Sequence, residues 1–333
     1  MKALLSKAPG GPDTLVIEDL PTPEPGPGEV RIKVAACGIN FPDSLIIEDR
    51  YQVKPPRPFS PGAEVSGVVD AVGEGVATVS AGDRVIGSAA YGGLSEMMVV
   101  PASRCLPMPD GMPFETAAAF TMTYGTSYHA LKQRGRLQPD QTLLVLGAAG
   151  GVGLAAVEIG KAFGARVIAA VSSDEKAAMA KAHGADATVV YPHGPFDKDG
   201  LKALSAQFKD AVGAEGAHVI YDPVGGDYAE PALRAIAWEG RFLVVGFPAG
   251  IPKLPLNLTL LKGCDICGVF WGAFVARDPK AHQANVAQMM SLYAEGKLRP
   301  EVSQTFPFVR AAEAIRVLAE RRALGKVVVR MGG

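Results

Sequence analysis

The sequence predicts an α/β protein of two domains, and three observations lead to this fold class. At 333 residues the chain exceeds the usual size of one domain. Up to about Arg104 it consists of short β-forming stretches divided by Gly and Pro turns, whereas beyond Leu143 apolar strands alternate with helical patterns. A glycine-rich turn joins the first strand of that second part to its first helix. These patterns predict a compact, barrel-like β domain and a doubly wound parallel sheet.

Two irregular segments interrupt the strands of the first part. Residues 38–47 predict a turn and a short helix, and 51–62 form a proline-rich loop of the kind that often carries substrate contacts on a β scaffold. Residues 113–131 then change to a helical period and are expected to lead into the second domain. The predicted strands of the first part are 2–5, 15–19, 30–36, 64–72, 84–87 and 94–101.

The stretch 143–176 has the length and order of one βαβ unit. A continuous apolar run is followed by a turn in which glycines recur as GxxGxxG, and then by a helical pattern and a second strand, 166–171. Such a turn lets a backbone approach a pyrophosphate while the helix dipole favours the anion, so it predicts a dinucleotide site; the alternative is an ordinary glycine-rich βα turn. The candidate phosphate-binding residues are Gly147, Ala149, Gly150, Gly151, Val152 and Gly153.

Strand and helix continue to alternate to the end of the chain. The predicted helices are 174–182, 201–212, 228–237, 280–294 and 310–323, and the predicted strands are 187–191, 218–222, 241–246, ICGVFWGAF (266–274), 305–307 and 326–331. The last part is expected to return to the first domain. Cys264 and Cys267 are expected to be packed thiols of a strand, because residues three apart in a strand point to opposite faces.

Composition excludes several classes of function. The formal net charge is -1, and no extended basic surface for nucleic acid is indicated. No apolar run reaches the roughly 18 residues of a membrane span, and the start MKALLSKAPGG lacks the apolar core of a signal peptide. Neither nucleic acid nor membrane is therefore expected as a partner, and a cytoplasmic enzyme is the best fit.

The whole chain resembles the medium-chain dehydrogenase/reductase superfamily, and within it the zinc-free quinone oxidoreductases. The resemblance is carried by AACGINFPDSL, PGAEVSGVVDAVG, AGDRVIG, AAAFTMTYGTSYHAL, LLVLGAAGGVGLAAVEIGKAFGARVIAAVSS, VIYDPVGG, GRFLVVGF and GKVVV. It implies a GroES-like catalytic domain in two segments, 1–123 and 265–333, around a Rossmann nucleotide domain at 124–264. A homodimer formed through the strand around 266–270 is also implied.

Two positions determine the expected chemistry. In the zinc alcohol dehydrogenases of this superfamily, the segments matching GINFPD and PGAE carry a zinc-binding cysteine and histidine, whereas here they hold Asn40 and Ala63. Neither a carboxamide nor a methyl group is a good zinc ligand, so no metal is expected. Without a Lewis acid, reduction of an electrophilic acceptor is favoured over alcohol oxidation.

The end of the second strand indicates NADPH. An NAD site would place a carboxylate there for the ribose 2′-OH, but this chain has Ser172 and Ser173. Lys176 in the first turn of the next helix is unfavourable unless an anion faces it, and a 2′-phosphate is such an anion. Related NADPH-dependent reductases place hydroxyls, a lysine and a tyrosine matching Tyr191 around that phosphate; alternatively, Lys176 is a solvated residue and Tyr191 a core residue.

The resemblance implies further cofactor contacts around the ribose and nicotinamide. They are Asn40, Thr126, Gly246, Phe247, Phe270 and Gly272. For Phe270 and Trp271 the alternative is strand packing at a subunit interface. Lys326 either reaches a phosphate or merely precedes the final strand.

The expected reaction is hydride transfer from NADPH to a flat conjugated acceptor. The protein must align the two molecules, exclude water and stabilise the developing oxyanion. Asn40 and Tyr51 are the candidate catalytic donors at the acceptor oxygen, although Tyr51 can equally pack on the neighbouring prolines. Asp43 is expected to be a cap or an orienting partner, and His129 a core histidine. The predicted function is quinone reduction. The alternatives are reduction of the C=C bond of enones, alkenals or enoyl thioesters, and a non-catalytic NADPH-binding structural or interaction protein.

Overall fold

Met1–Met122 and the residues from Pro300 onward form one structural unit, and Thr123–Arg299 form a second. The computed structural model describes residues 1–332. The first unit ends one residue from the boundary expected at 123. The return to it comes at Pro300 and not at 265, because residues 265–268 form a strand of the second unit's sheet.

Fifteen strands and eleven α-helices lie within residues 1–332. The strands are β1 Lys2–Leu5, β2 Val16–Asp19, β3 Glu29–Ile39, β4 Glu64–Val72, β5 Arg84–Ser88, β6 Met97–Pro101, β7 Cys105–Pro107, β8 Thr142–Leu146, β9 Arg166–Val171, β10 Ala187–Val190, β11 Ala217–Asp222, β12 Ile236–Val244, β13 Asp265–Gly268, β14 Val302–Pro307 and β15 Lys326–Arg330. The helices are α1 Phe41–Ile46, α2 Phe114–Ala117, α3 Thr121–His129, α4 Gly151–Ala162, α5 Asp174–Ala182, α6 Lys198–Val212, α7 Ala229–Leu233, α8 Asn257–Lys262, α9 Trp271–Arg277, α10 Pro279–Ala294 and α11 Ala311–Ala319.

The first unit is built on a mainly antiparallel sheet with the order β14-β15-β3-β4-β5-β7, and β6 pairs with β3 as well. Its central strand β3 alternates buried and partly exposed side chains over its first half, and apolar residues of β3, β4, β5 and α11 share one core. Register fixes the neighbours of the loop after β3. Val327 lies opposite Ile39, and Gly38 lies opposite Glu64. The start of β15 and the start of β4 therefore flank residue 40.

The second unit contains a six-stranded, all-parallel sheet with the order β10-β9-β8-β11-β12-β13. This is the doubly wound arrangement that alternation of strands and helices predicted. Every residue of β8 is buried, as expected for a central parallel strand that is covered on both faces. Sequence order reverses between β8 and β11, and ligands bind parallel α/β sheets at the carboxyl ends of the strands beside such a switch point.

Several predicted elements differ from the structure. The stretch 266–274 is strand only to Gly268, and a helix begins at Trp271. The helix expected at 228–237 ends at Leu233, because β12 already begins at Ile236. The single helix expected at 113–131 is broken into α2 and α3, and a π turn follows at 130–134. In each case the aromatic or alanine-rich sequence is compatible with both the helical and the strand pattern of apolar residues. Tertiary packing decides which of the two forms.

A membrane-spanning helix is not found within residues 1–332, since none of the helices there combines sufficient length with sufficient apolarity.

Candidate active site

The glycine turn after β8 has the backbone geometry that its sequence predicts. Gly147 adopts a left-handed conformation with φ of +57°, and Gly150 is the N-cap of α4. A Cβ on Gly153 would lie 2.3 Å from the carbonyl oxygen of Gly147, so only glycine allows the helix to pack this closely on the turn. The helix therefore begins directly above the end of β8.

The start of α4 is suited to a pyrophosphate. A Cβ at Gly150 would meet no atom closer than the Gly147 oxygen at 3.5 Å, so there is open space in front of this residue. No side chain caps the helix, and its first N–H groups are therefore available to an anion. Ala149 is buried, and Gly151 and Val152 are half-buried in the first turn. These residues fit a dinucleotide.

Ser172, Ser173 and Lys176 come together at the end of β9. Ser173 is the N-cap of α5 and accepts the backbone N–H of Lys176 at 3.3 Å. The Lys176 Nζ donates to Ser172 Oγ at 2.9 Å. An ammonium has three N–H donors, so this cluster presents a cation and hydroxyls where an NAD site would present a carboxylate. Its chemistry fits a 2′-phosphate.

Tyr191 lies in the core of the second unit, beneath the glycine turn. Its side chain is buried, and the backbone of Gly147 lies near its hydroxyl. The ring packs on Tyr228 with centroids 4.9 Å apart. Burial raises the pKa of the Tyr191 phenol. The structure thus gives Tyr191 a contact that supports the turn, and its contact with a 2′-phosphate stays a prediction.

Asp222 organises the carboxyl ends of β11 and β12, and it was not among the residues predicted for the site. Its Oδ1 accepts the N–H groups of Val224 and Gly225, both at 2.8 Å. Burial raises the pKa of Asp222 to about 6. The predicted cofactor residues Gly246 and Phe247 follow β12 beside this turn, where the Asp222 carbonyl accepts the Gly246 N–H at 3.4 Å. The Asp-x-x-Gly pattern of an Asx turn is the signal that could have revealed it.

Three other predicted cofactor residues lie near Trp271. Gly125 is packed against this indole, since a Cβ there would lie 2.9 Å from its ring atoms, and Thr126 is the next residue of α3. Phe270 is the N-cap of α9, with its side chain 59% exposed, and Gly272 is in the first turn. The buried Nε1–H of Trp271 has no hydrogen-bond partner. Thr126, Phe270 and Gly272 are therefore sequence neighbours of Gly125 and Trp271, whose indole N–H has no partner in the structure.

His129 is a core residue, as expected. Its ring stacks on Phe274 with centroids 4.0 Å apart, and its Nδ1 lies 3.2 Å from Gln133 Oε1. Burial lowers the pKa of His129.

Asn40 and Asp43 form the polar start of α1 in the first unit. Asn40 is the N-cap, and its backbone N–H donates to Asp43 Oδ2 at 2.7 Å. Asp43 Oδ1 accepts the N–H of Gly62 at 3.1 Å, which ties α1 to the loop before β4. Burial is the main cause that raises the pKa of Asp43 to about 6. Asp43 is therefore a capping residue of α1, which is one of the two roles predicted for it.

The Asn40 side chain belongs to a buried network with Glu64 and Lys326. Lys326 Nζ donates to Asn40 Oδ1 at 2.7 Å and lies 3.2 Å from Glu64 Oε2. Asn40 Nδ2 donates to the Gly38 carbonyl at 3.3 Å and to Glu64 Oε2 at 3.4 Å. The structure thus places the Lys326 ammonium on Asn40 and Glu64. The phosphate contact predicted for Lys326 stays a prediction, and Glu64 was not anticipated at all.

Tyr51 lies within the electrostatic influence of Asp43. It is half-buried against the core of the first unit. Burial and the nearby charge of Asp43 both raise the pKa of its phenol, so the hydroxyl is protonated at neutral pH and can donate a hydrogen bond. Asp43 therefore links the two predicted catalytic residues, since it accepts the Asn40 N–H and its charge acts on Tyr51.

Comparison with known proteins supports one family. Residues 26–110 match the alcohol dehydrogenase GroES-like domain, and 151–295 match the zinc-binding dehydrogenases. A quinone oxidoreductase-like protein 2 homolog of Nematostella vectensis is 39% identical over 320 residues, or 95% of this chain and 85% of the relative. The chain belongs to the quinone oxidoreductase family. The resemblance and the fold class predicted from the sequence are thereby confirmed.

Other members of the quinone oxidoreductase family extend this match. A quinone oxidoreductase of Pseudomonas aeruginosa is 35% identical over 332 residues, covering 98% of this chain and 99% of the relative. The structure of the Escherichia coli quinone oxidoreductase complexed with NADPH superimposes with a TM-score of 0.90 at 28% identity, over 99% of this chain and 100% of that one.

The donor set of this member of the quinone oxidoreductase family does not fit zinc, although one matched domain is described as zinc-binding. Within residues 1–332 no three His, Cys, Asp or Glu side chains are grouped so that they could hold a metal ion. Asn40 and Ala63 occupy the positions compared with zinc ligands, and the nearby Glu64 carboxylate is paired with Lys326. Burial raises the pKa of the Cys37 thiol well above its usual value, so no thiolate is available there at neutral pH.

Proposed function

We propose that this quinone oxidoreductase-family protein binds NADPH and transfers its hydride to a quinone. The observation that carries the proposal is the pairing of two features. A cation with two hydroxyls stands where an NAD site would have a carboxylate, and an amide with an ammonium stands where a zinc enzyme would have metal ligands. The NADPH complex of the Escherichia coli relative supports the choice of nucleotide.

The second unit supplies the nucleotide contacts. The N–H groups at the start of α4 suit the pyrophosphate, and Ser172, Ser173 and Lys176 suit the 2′-phosphate. NADPH supplies the hydride when it is bound. Thr126, Phe270 and Gly272 are proposed to lie along the ribose and nicotinamide, with Gly246 and Phe247 at the end of β12.

The first unit supplies the polar groups for the acceptor. A quinone that accepts a hydride and a proton becomes a hydroquinone, and negative charge develops on its oxygen during the transfer. Tyr51 is proposed to donate a hydrogen bond to that oxygen, because its phenol stays protonated at neutral pH. Asn40 is proposed as the second donor, through Nδ2. Already electrophilic quinones need no Lewis acid, which agrees with the absence of suitable zinc ligands.

A homodimer is proposed through the edge of the second unit. β13 is the last strand of its sheet and, within residues 1–332, pairs with β12 alone. Large apolar side chains of α8 and the segment before it are exposed: Ile251 80%, Leu256 71%, Leu260 81% and Leu261 65%. An unpaired edge beside an apolar surface is typical of an interface between copies. The cytoplasmic location predicted from the sequence stays a prediction.

A panel of acceptors tests the proposed reaction. NADPH oxidation is followed with benzoquinones and naphthoquinones, with enones and alkenals, and with crotonyl-CoA and acryloyl-CoA. Quinones are expected to be turned over fastest, and a Tyr51→Phe variant to lose kcat about tenfold with NADPH affinity unchanged. Turnover restricted to the thioesters, or to the enones, would make that class the acceptor of the reaction and would contradict quinones. Tight NADPH binding with no turnover of any acceptor would indicate a non-catalytic binding protein.

A further inference from the structure

Lys326 is a buried cation whose position is fixed by the sheet. It is the first residue of β15, and the pairing of Val327 with Ile39 sets it beside Asn40. Only 5% of the residue is exposed, and its ammonium faces Asn40 Oδ1 and Glu64 Oε2. Lysine is almost never this deeply buried unless it is paired, and removal of one partner from such a pair is costly. The network therefore constrains all three side chains.

The two partners of Asn40 determine which way its amide faces. An ammonium can only donate hydrogen bonds, and an ionised carboxylate can only accept them. The amide oxygen must therefore face Lys326, and the amide nitrogen must face Glu64 and the Gly38 carbonyl. A flipped amide would place an N–H against an ammonium and an oxygen against a carboxylate. Lys326 and Glu64 together permit one orientation.

The two ends of the Asn40 amide are held unequally. The oxygen end makes one short bond of 2.7 Å, to Lys326 Nζ, whereas the nitrogen end makes two long bonds, of 3.3 and 3.4 Å. Charge-assisted hydrogen bonds are strongest when they are short, and at the nitrogen end the bond to the Glu64 carboxylate is the longer of the two. The amide is thus anchored at its oxygen, and its nitrogen is the end that can form a better bond with a bound molecule.

Glu64 is itself fixed, so the network has a rigid base. Its Oε1 accepts the backbone N–H of Met122 at 2.8 Å, while Oε2 serves Lys326 and Asn40. Glu64 is fully buried, and it lies directly opposite Gly38 in the β3–β4 pairing. Rotation of the carboxylate away from Asn40 would leave a buried N–H without a partner, which is unfavourable.

We propose that Lys326 is a positioning residue for the reaction: it anchors the Asn40 amide at its oxygen, so that the nitrogen, held only by two long hydrogen bonds, is the end that donates to a bound acceptor. This inference rests on the proposed function, since it gives Asn40 the donor role described there. It differs from the phosphate contact suggested by the sequence, because the cation acts through Asn40 and does not touch the nucleotide.

The test compares three substitutions at residue 326. Lys326→Met removes the cation, Lys326→Arg keeps a group that only donates, and Lys326→Gln introduces an amide that both donates and accepts. Lys326→Met and Lys326→Gln are expected to lower kcat for a quinone about tenfold or more, with Kd for NADPH unchanged within about twofold. The kcat of Lys326→Arg is expected to stay closer to that of the wild type. The control Lys7→Met removes an exposed lysine of the same unit, paired with Glu18, and should change neither value.

A double-mutant cycle with Asn40→Ala separates positioning from independent action. If Lys326 acts through Asn40, Lys326→Met should add nothing to the loss of kcat caused by Asn40→Ala. The inference would be overturned if the losses of kcat of the two single variants multiplied in the double variant. It would also be overturned if Lys326→Met raised the Kd for NADPH tenfold and retained kcat, a result that would make Lys326 a nucleotide ligand. Equal kcat for Lys326→Gln and the wild type would also overturn it.

Failure of the proposed function gives a different result. A wild-type protein that turns over no acceptor contradicts the reaction itself, before any variant is compared. The Asn40–Lys326 coupling is then measured in the free energy of unfolding by the same cycle, in denaturant. Coupling without turnover would confine Lys326 to a structural role. Absence of coupling would show that Lys326 does not fix the orientation of Asn40.

Discussion

At the scale of single residues, the choice of nucleotide depends on one ammonium. Lys176 is held by Ser172 at the end of β9, and its remaining donors are available to an anion. A hydrogen bond between charged partners contributes about 1.5–3 kcal/mol. We therefore expect Lys176→Ala to lower the ratio of kcat/KM for NADPH over NADH about tenfold or more. The control is Lys181→Ala, an exposed lysine in the last turn of the same helix. A ratio unchanged by Lys176→Ala would exclude this lysine from nucleotide selection.

A second prediction at this scale concerns pH and Asp222. Its pKa is raised to about 6 in the folded protein, above the unfolded value of about 3.9. Because the folded state binds this proton more tightly, the stability associated with Asp222 is fully present below about pH 4 and is lost as the pH rises through 6.

Asp222→Asn removes the titration while its Oδ1 can still accept the N–H groups of Val224 and Gly225. The free energy of unfolding of the variant minus that of the wild type is expected to rise by up to about 3 kcal/mol between pH 4 and 7. Denaturant unfolding at half-unit pH steps measures this difference, with the nearby Asp227→Asn as control. A difference independent of pH would contradict the raised pKa.

At the scale of elements, two glycines of the β8–α4 turn have different roles. Gly153 is required for packing, whereas Gly150 faces the proposed nucleotide site. A Cβ at Gly153 would lie 2.3 Å from the Gly147 oxygen, whereas one at Gly150 would meet nothing closer than 3.5 Å. Gly153→Ala is therefore expected to destabilise the protein by about 1–3 kcal/mol. Gly150→Ala should change the free energy of unfolding by less than about 0.5 kcal/mol. It should raise the Kd for NADPH about tenfold, because its methyl group enters the space for the pyrophosphate.

Thermal unfolding and NADPH titration of both variants check this separation. Equal loss of stability would show that the space in front of Gly150 is not open. Unchanged NADPH affinity for Gly150→Ala would show that the pyrophosphate lies elsewhere.

The same turn shows what a sequence can predict. A strand, a glycine turn and a helix that follow one another depend on local pattern alone, and this βαβ unit was predicted correctly. The phosphate contacts of its turn stay a prediction. The Asn40–Lys326 pair was not, because these residues are 286 positions apart and meet only through the register of β15 on β3. A lysine at the start of a strand carries no local sign that it will be buried.

Long-range pairing also explains the misplaced domain boundary. The aromatic stretch after Gly268 satisfies both strand and helix patterns, and its helix begins only where the sheet ends. The parallel pairing of Ile266 with Phe242 assigns β13 to the second unit. Neither feature is visible in the stretch itself.

At the scale of the whole molecule, each unit has its own apolar core. One core joins β3, β4, β5 and α11 in the first unit, and another joins β8, β11, β12 and α6 in the second. The first unit keeps Asn40, Glu64 and Lys326 in place, and the second keeps the glycine turn and the Lys176 cluster. Substitutions in one set are therefore expected to leave the local geometry of the other intact, which makes NADPH affinity a fair control for variants of the Asn40 network.

The proposed homodimer gives the last prediction. Stable interfaces bury at least about 1,000 Å² and have an apolar centre, and the exposed leucines of α8 beside the edge strand β13 provide such a centre. We expect the wild type to have twice the mass of the 34.7 kDa chain in light scattering at micromolar concentration. Leu260→Asp should yield the monomer, because a carboxylate would be desolvated without a partner at the interface. Val309→Asp changes a comparably exposed side chain of the first unit, 77% against 81%, and should leave the dimer intact. A monomeric wild type would contradict the proposed interface, and a Leu260→Asp dimer would assign it to another surface.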